Sequence, residues 1–559
     1  MLAARLFGGA VGDWKYADWT FTDVLQRAST AAPDLTVTFT DDRPYTTAEL
    51  WDRALRVAGA LQASGVEPGS CVGLFVDNRA EFLTAFFGAA MAGCVSAPLN
   101  TAQRGPVLEH MVRTCDVRVL VADANAAPTL ASVLERVPSI TDVAIVRPSG
   151  AETQVSRTAA QHDFAEWEQG PALDRTHPSS PGDLATLMLT SGTTGPSKAV
   201  MWSHSGGLML ATAASRYVGL DADDVAYTCL PLFHGNALYC SVLPALMAGA
   251  RSVVGPRFSA STFWQEVGEV GATKLSLLGT MHRILYGAPE GAFDRAHSVQ
   301  RAVVAPAPVG YHQEFEERFG FELTQFYGLS DVNMIIGVPP ELVTEARSHP
   351  GSCGVAGEHW EVQVVDDDDR PVATGETGEL VARPRIPFTG ALGYLGMPDA
   401  TIAAWRNLWY HTGDAFRRDA DGWFYFVDRK KDAIRRAGEN ISSMEVENVL
   451  RGLPGVVEAA VYAVPSPQGE DDVMAALEVA DSWVGDFEAV LVRCYGELAY
   501  FAIPRYIRVV DQMPRTESEK VRKDVLRGEG VTADTWDRGP GGKKQLDARL
   551  GQAASGTTR

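Results

Sequence analysis

The sequence predicts an α/β fold: a large N-terminal domain of stacked mixed and parallel sheets, a small β-subdomain, and a small α+β domain at the C-terminal end. Short apolar runs alternate with helical patterns through the first 300 residues. Short strands follow between residues 360 and 430, and a mixed pattern extends to residue 510. Strand, helix and strand in succession imply parallel sheets covered by helices.

Composition excludes several classes of protein. The 559 residues are 46% hydrophobic and 21% charged, which is ordinary for a soluble globular protein. The net charge of −21 argues against non-specific nucleic-acid binding and against docking on an anionic membrane. The seven cysteines are scattered without a C-x-x-C pair and predict reduced, mostly buried thiols. Without an apolar span or a leader pattern, we expect a cytoplasmic protein.

Two β-α-β units open the chain after a helix that Thr46 or Thr47 caps and Gly65 ends. The first unit is a strand at 72–76, a helix at 79–93 and a strand at 95–99, and the second is a strand at 117–122, a helix at 127–136 and a strand at 141–146. The Pro-, Ser- and Gly-rich residues 148–182 are expected to form a surface connection.

A loop of small, hydroxylated and glycine residues follows the apolar run Leu187–Leu189. Glycines let a ligand approach the main chain, successive amides form an anion-binding nest, and a lysine adds a point charge. The predicted phosphate-binding residues are Thr190, Ser191, Gly192, Thr193, Thr194, Gly195 and Lys198. The spacing is not that of a Walker loop. A Ser/Thr/Gly linker is the alternative interpretation.

Three further segments interrupt the strand and helix pattern. Pro231–Asn236 separates a strand at 225–230 from a helix at 237–248, and its His234 taken alone would more often be structural. Residues 325–331 read Gln-Phe-Tyr-Gly-Leu-Ser-Asp. There an aromatic ring suits adenine stacking, and a hydroxyl beside an acid suits phosphate and Mg²⁺. A strand end with a turn is the alternative. The acidic run Asp366–Asp369 is expected to be a solvated turn, because it lacks the ligand spacing of an EF-hand.

The C-terminal part predicts strands at 459–464, 473–479 and 507–510 and a helix at 487–498. A helix from Met444 follows a Gly-Glu-Asn turn and carries early acids that suit its dipole. Residues 528–559 are rich in Gly, Lys, Gln and Ser/Thr and are expected to form a loosely held tail.

Three further motifs follow: Thr412-Gly413-Asp414, Asp428-Arg429, and Pro514-Arg515-Thr516 before Lys520. In this order from Thr190 to Lys520, the motifs resemble those of the adenylate-forming superfamily of acyl-CoA synthetases, peptide-synthetase adenylation domains and luciferases. The strings at 425–429 and 438–442 look most like those of crotonobetaine/carnitine-type acyl-CoA ligases. The resemblance covers nearly the whole chain. It implies an N-terminal AMP-binding domain at 1–430, a mobile C-terminal domain at 431–527 and a tail at 528–559.

The resemblance also implies a role for each site residue. Catalytic roles fall on Lys520, Thr193, Asp331 and His234, with Asp331 at Mg²⁺ and His234 lining the acyl pocket. Residues of the nucleotide and CoA sites, besides those of the phosphate loop, are Ala305, Pro306, Tyr327, Gly328, Ser330, Asp414, Arg429, the hinge Lys431, Arg435 and Gly438.

The chain departs from the family pattern at three places. Residues 303–308 lack the usual glycines, so bulkier Val303 and Val304 would narrow the pocket. Ser330 and Asp331 replace the usual Thr and Glu, and Glu519 replaces the Gly before Lys520.

The implied reaction has two steps and uses ATP, Mg²⁺ and CoA. A carboxylate attacks the α-phosphorus of ATP to give acyl-AMP and pyrophosphate, and the CoA thiol then displaces AMP. One alternative is a diazotase-like enzyme of bacterial biosynthesis, which adenylates nitrite and diazotises an aromatic amine. Another is a nucleotide-binding protein that has lost its activity. The expected partners are a small acid and CoA, and the sequence leaves open the acid and the oligomeric state.

Overall fold

The structure is a computed structural model. It describes residues 15–146, 159–190, 197–278, 281–305, 308, 311–429, 434–436, 439–441, 443–466, 469–480, 483, 485–514, 521–539 and 545–546. The chain forms two compact units. The first comprises the described residues of Met1–Thr101, Val112–Leu189 and Ala199–Asp428, and the second those of Ala102–Met111, Thr190–Lys198 and Arg429–Arg559.

The strands are numbered in chain order. They are β1 Thr36–Phe39, β2 Pro44–Thr46, β3 Cys71–Phe75, β4 Val95–Pro98, β5 Val117–Asp123, β6 Asp142–Val146, β7 Ala160–Asp163, β8 Leu184–Thr190, β9 Lys198–Ser203, β10 Val225–Thr228, β11 Arg251–Val254, β12 Lys274–Leu278, β13 Arg301–Ala305, β14 Glu322–Leu329, β15 Asn333–Gly337, β16 Val355–Ala356, β17 Trp360–Val365, β18 Thr377–Pro384, β19 Gly393–Tyr394, β20 Tyr410–Arg418, β21 Phe424–Arg429, β22 Ile434–Arg436, β23 Glu439–Ile441, β24 Val456–Pro465, β25 Asp471–Val479, β26 Tyr506–Val510 and β27 Trp536–Asp537.

The α-helices are numbered in the same way. They are α1 Phe21–Ala31, α2 Thr47–Ala63, α3 Ala80–Met91, α4 Gly105–Thr114, α5 Ala127–Arg136, α6 Phe164–Gln169, α7 His204–Val218, α8 Gly235–Ala237, α9 Leu243–Ala248, α10 Phe263–Glu269, α11 Met281–Gly287, α12 His312–Phe319, α13 Val343–Ala346, α14 Pro398–Ala404, α15 Ser443–Arg451, α16 Phe487–Glu497 and α17 Lys523–Glu529. A π-helical segment, Leu238–Val242, joins α8 to α9.

Two large sheets form the body of the first unit. One has the strand order β16-β15-β14-β13-β12-β10-β11-β1-β2, and its strands from β14 to β1 are parallel. The other has the order β19-β9-β8-β4-β3-β5-β6-β7, with parallel pairing from β8 to β7. One core cluster contains residues of both sheets and of α1, α3 and α7. The predicted stacked sheets with helices are confirmed.

A third sheet, with the order β17-β18-β20-β21, is the predicted β-subdomain. Its β17–β18 and β18–β20 pairs are antiparallel. The turn at Asp366–Asp369 is also present, because the Asp369 amide donates to the Asp366 carbonyl at 3.1 Å. Asp366, Asp367 and Asp368 are exposed, as expected of a solvated turn, whereas Asp369 is partly buried and its carboxylate accepts hydrogen bonds from Arg406 and Asn407.

The second unit contains the α+β pattern that the sequence predicts. Strands β24, β25, β26 and β27 form one sheet, in which β25 and β26 are parallel and the other two pairs are antiparallel. The short hairpin β22–β23 is anchored to this sheet, because the Arg435 amide donates to Asp471 at 3.0 Å. Within this sheet, the carboxylate of Asp472 in β25 lies 2.7 Å from the guanidinium of Arg505, which directly precedes β26.

Three expectations from the sequence differ from the structure. Residues within the predicted surface connection form β7 and α6, which bury Phe164 and Trp167. The predicted helix at 237–248 begins at Gly235 and is π-helical in the middle. The predicted tail begins too early, since Trp536 lies in strand β27 and stacks on Phe487 with ring centroids 5.1 Å apart.

All seven cysteines are free thiols, and each is buried or partly buried, as the sequence predicts. In the part of the chain that the structure describes, none of the helices has the length and apolar character needed to cross a membrane.

Burial of His204 at the start of α7 makes the stability of the first unit depend on pH. The Phe21 amide donates to His204 Nδ1 at 3.2 Å, so the imidazole is neutral with its proton on Nε2. Burial lowers the pKa of His204 from 6.5 to about 4, the neighbouring Asp183 raises it, and His177 lowers it further. Between these two pKa values the unfolded chain therefore binds more protons than the folded chain does.

We expect the His204 contribution to be complete above pH 6.5 and lost as the pH falls toward 4, at a cost of about 3 kcal/mol. The variant His204→Asn retains an acceptor near the position of Nδ1 but does not titrate. Urea unfolding of both proteins from pH 7 to pH 4 measures the difference. Equal losses of unfolding free energy in the two proteins would contradict the prediction.

Candidate active site

The loop that carries His234 is held by a buried asparagine from another strand–helix connection. Asn78, after β3, donates from Nδ2 to the carbonyls of Leu230 and Gly255, both at 2.9 Å. Its Oδ1 accepts the amide of Leu232 at 2.8 Å. The His234 amide donates to the Pro231 carbonyl at 3.0 Å. This loop thus has fixed backbone geometry, although it lies outside any strand or helix.

His234 stands directly before α8, and its ring lies 4.8 Å from that of Phe233. The helical run that follows becomes π-helical at Leu238–Val242. Segments of π-helix occur often at functional sites. Both features lie near the carboxyl ends of the parallel strands, where α/β sheets bind their ligands.

The carboxyl end of β13 is the second predicted part of the site. Ala305 is its last residue and is partly exposed, whereas Val303 and Val304 are buried on opposite sides of the sheet. Val303 pairs with Ser276 of β12. Val303 belongs to the same core cluster as Phe233, the neighbour of His234, whereas Val304 belongs to another cluster. Only Val303 therefore lies on the sheet face next to the loop that carries His234.

One hydrogen bond in the site joins two motifs that are far apart in the sequence. The Tyr327 hydroxyl donates to Asp414 Oδ2 at 2.7 Å. Asp414 is 6% exposed, and its own amide donates to Thr412 Oγ1 at 3.1 Å. Burial, followed by the charge of Asp414, raises the pKa of Tyr327 well above its usual value, so the hydroxyl remains a donor. The predicted adenine and ribose residues are thus neighbours.

Gly328 is required by a close approach of two backbones. A β-carbon at this position would lie 2.1 Å from the carbonyl oxygen of Asn333, at a bulge between β14 and β15. Asn333 has a positive φ of 58°, and its Nδ2 donates to the carbonyls of Gly206 and Thr389, both at 2.9 Å. The loop between Gly328 and Asn333, with Ser330 and Asp331, is therefore held at its base.

Ser330 and Asp331 lie among aromatic residues of other strands. Trp202 Nε1 donates to the Ser330 carbonyl at 2.5 Å. Burial, followed by the charge of the nearby Asp331 carboxylate, raises the pKa values of Tyr394 and Tyr410. The Asp331 carboxylate therefore lies near two buried tyrosines that remain protonated.

The Thr-Gly-Asp motif is shaped by contacts of its own sheet. Thr412 Oγ1 donates to the Leu380 carbonyl at 2.7 Å, and the Gly413 amide donates to Glu379 at 3.0 Å. Gly413 has a φ of 73°, which favours glycine. These bonds direct Asp414 toward Tyr327.

The remaining predicted residues divide into two groups. Thr190 ends β8, Lys198 opens β9, Arg429 ends β21, and Arg435 lies in β22 of the second unit. The others lie outside the described residues: Ser191, Gly192, Thr193, Thr194, Gly195, Pro306, Lys431, Gly438 and Lys520.

Sequence reasoning missed several residues that hold the site. Tyr410 stands four residues before Asp414 in the same strand, so its position offered a signal. Tyr394, Asn78 and Trp202 offered none, because their contacts join segments that are distant in the chain.

Family comparison agrees with this geometry. Residues 25–395 match the family described as AMP-binding enzyme, and residues 445–520 match the AMP-binding enzyme C-terminal domain. The chain is 34% identical over 495 residues to the steroid-22-oyl-CoA synthetase of Rhodococcus jostii (strain RHA1), covering 85% of this chain and 86% of that protein. It is 28% identical over 487 residues to the crotonobetaine/carnitine–CoA ligase of Salmonella paratyphi B (strain ATCC BAA-1250 / SPB7), covering 87% and 93%.

Solved structures show the same architecture. The amide bond synthetase McbA from Marinactinospora thermotolerans has a TM-score of 0.78 at 25% identity, covering 90% of this chain and 99% of that one. ATP-bound MatB from Rhodopseudomonas palustris has a TM-score of 0.65 at 26% identity, covering 91% and 98%.

These relatives favour ATP-dependent formation of an acyl-adenylate and its transfer to CoA, and they do not favour the nitrite-activating alternative. With both of its domains matched, the chain belongs to the AMP-binding enzyme family.

Proposed function

We propose that this chain is an AMP-forming carboxylic acid–CoA ligase whose nucleotide site is centred on Tyr327 and Asp414. The observation that carries the proposal is the 2.7 Å hydrogen bond between these two side chains. It brings an aromatic ring that suits adenine next to a carboxylate that suits ribose hydroxyls. Arg429 then donates to the ribose, and Ala305 and Pro306 border the adenine.

The acid binds on the His234 side of the site. His234 follows a loop that Asn78 clamps, so its imidazole has a defined position for the reacting carboxylate. Apolar residues of the same core cluster, Met188, Trp202 and Phe233, lie around this segment. The site therefore suits an acid with an apolar body. The acids in the names of the two relatives, a steroid acid and carnitine or crotonobetaine, differ in size and polarity. A substrate panel should therefore contain both kinds of acid.

Magnesium fits the same geometry. Asp331 offers a carboxylate, which is the ligand type that Mg²⁺ prefers, and it lies near the buried tyrosines Tyr394 and Tyr410. When bound, the ion would neutralise charge on the ATP phosphates. Asp is shorter than the usual Glu, so Asp331 reaches the ion directly or through a water molecule.

The phosphate loop, Lys431, Gly438 and Lys520 complete the proposal on the strength of the sequence. The loop residues 190–198, with the hydroxyls of Ser191, Thr193 and Thr194 and the charge of Lys198, bind the phosphates. Lys520 stabilises the charge that develops when the carboxylate attacks the α-phosphorus. The C-terminal domain then turns at Lys431 and removes Lys520, while Arg435 and Gly438 border CoA.

We expect pyrophosphate release from Mg·ATP with at least one member of a panel of short, long, aromatic and steroid carboxylates. Thioester should form only when CoA is also present, because the thiol displaces AMP from the adenylate. Enzyme-coupled pyrophosphate detection and mass spectrometry of the products measure the two steps. A parallel assay replaces the carboxylate with nitrite and an aromatic amine. If only nitrite supports pyrophosphate release, and CoA does not change its rate, the proposal is contradicted.

We expect Asp414→Asn to raise the KM for ATP about tenfold or more, because a charged acceptor for the ribose is replaced by a neutral amide. The KM for the acid should change little. The matched control is Asp421→Asn, which makes the same change at an exposed carboxylate of the turn between β20 and β21. Steady-state kinetics with each substrate varied in turn measures both effects. Equal KM values for ATP in the two variants would refute the assignment of Asp414.

We expect Lys520→Ala to slow acyl-adenylate formation by at least a hundredfold, since a positioned charge is removed from the transition state. The same variant should still convert supplied acyl-AMP and CoA to thioester at close to the normal rate. Single-turnover assays of each half-reaction make the comparison within one protein. If both half-reactions slow equally, Lys520 does not have this role.

A further inference from the structure

The amide of Asn236 is a buried polar group with one end unsatisfied. Asn236 lies in α8 and is 8% exposed. Its Nδ2 donates to Ser276 Oγ of β12 at 2.8 Å. Among the described residues, its Oδ1 has no hydrogen-bond partner. Buried polar groups in folded proteins are nearly always paired, so this atom calls for an explanation.

The position of the amide points to a ligand rather than to the folding of the core. Asn236 follows His234 by two residues and stands two residues before the π-helical segment Leu238–Val242. Its partner Ser276 lies two residues before the carboxyl end of β12. Parallel α/β sheets bind their ligands at this edge. A substrate bound at this edge would therefore contact the pair formed by Asn236 and Ser276.

The surroundings of the pair are apolar. Gly235, the residue before Asn236, has Met188 and Trp202 as its nearest neighbours, since a β-carbon there would lie 3.7 Å from Met188 Cε and 3.8 Å from Trp202 Cη2. Ser276 pairs across the sheet with Val303, which is 1% exposed. A ligand that meets Asn236 therefore contacts mainly hydrocarbon elsewhere in this region.

We infer that Asn236, positioned by Ser276, determines substrate specificity by binding a hydroxyl group on an otherwise apolar carboxylic acid. As the amide stands, its free oxygen accepts a hydrogen bond, so the ligand must donate. If the amide were turned over, Ser276 would donate to its oxygen and the free NH₂ group would need an acceptor. A hydroxyl both donates and accepts, and so it satisfies either orientation.

The chain geometry limits where this hydroxyl lies. Two residues of extended chain span at most about 7 Å, so the Asn236 backbone lies within that distance of His234. In the proposed function, on which this inference rests, His234 borders the reacting carboxylate. The hydroxyl is therefore expected in the part of the acid nearer its carboxyl group rather than at the far end of a long acid.

The test compares matched acids that differ by one hydroxyl. The probes are hexanoate with its 3-, 4-, 5- and 6-hydroxy derivatives, benzoate with 3- and 4-hydroxybenzoate, and the best carboxylate of the pyrophosphate panel with its own monohydroxy derivatives. For the native protein we expect kcat/KM at least tenfold higher for one hydroxy acid than for its parent, as is usual when a substrate satisfies a buried polar group.

Asn236→Leu keeps the approximate size of the side chain but removes its polar end. We expect it to reduce the preference to within twofold by lowering kcat/KM for the hydroxy acid, with kcat/KM for the parent acid unchanged within threefold. Ser276→Ala should reduce the same preference, because it removes the partner that orients the amide. Should Asn236→Leu fail to fold, Asn236→Ser undergoes the same comparison.

Thr212→Val is the matched control. Thr212 is also buried, and its hydroxyl donates within α7 to the Leu208 carbonyl at 2.8 Å, so this change removes one buried polar group elsewhere in the first unit. It should leave the hydroxyl preference intact.

The inference is overturned if the native protein prefers no hydroxy acid to its parent. It is overturned also if Asn236→Leu lowers kcat/KM for both members of a pair equally, which is the result expected when the amide binds only a structural water. The proposed function fails in a different way, namely when no carboxylate at all yields pyrophosphate and thioester.

Discussion

The first unit depends on the requirement that parallel strands be covered on both faces. Between its two large sheets lie helices that are apolar nearly all round. In α3, for example, every residue except Glu81 is buried. Such helices cannot present a polar face to the layer that covers them. Polar chemistry is therefore favoured in the loops at the strand ends, and, apart from Asp414 within β20, the described nucleotide and acid residues of the first unit lie in or next to such loops.

Loops at strand ends lack the ladder partners that strands have, so their carbonyl groups need other donors. Two buried asparagines supply them in the same way. Asn78 joins the carbonyls of Leu230 and Gly255, and Asn333 joins those of Gly206 and Thr389. An amide NH₂ group has two protons, so one side chain can hold two chain segments together. Asn236 differs because its NH₂ group has a single described partner, the Ser276 hydroxyl, instead of two carbonyl groups.

Much of this fold was predictable from hydrophobic periodicity. The units containing α3 and α5 lie where the sequence predicts them, because their apolar positions repeat over ten residues or more. Strands β7 and β27 were not predictable, since they are short and become stable only by pairing with a sheet edge. Helix α6 is also short, and burial of Phe164 and Trp167 holds it. In the site, the motifs predicted Tyr327, Asp331 and Asp414. They could not identify Asn78 or Tyr394, whose contacts depend on how distant segments come together.

The chain is acidic, so the residues next to the site carboxylates matter for binding an anionic ligand such as ATP. A chain of net charge −21 has two carboxylates in its proposed nucleotide site. The Tyr327 hydroxyl donates to Asp414, and Asp331 lies near Tyr394 and Tyr410. Burial raises the pKa of these tyrosines, which keeps them protonated. A neutral neighbour does not cancel the charge of a carboxylate. In the proposed reaction, Asp331 serves Mg²⁺ and Asp414 serves the ribose, while Lys198 and Lys520 serve the phosphates.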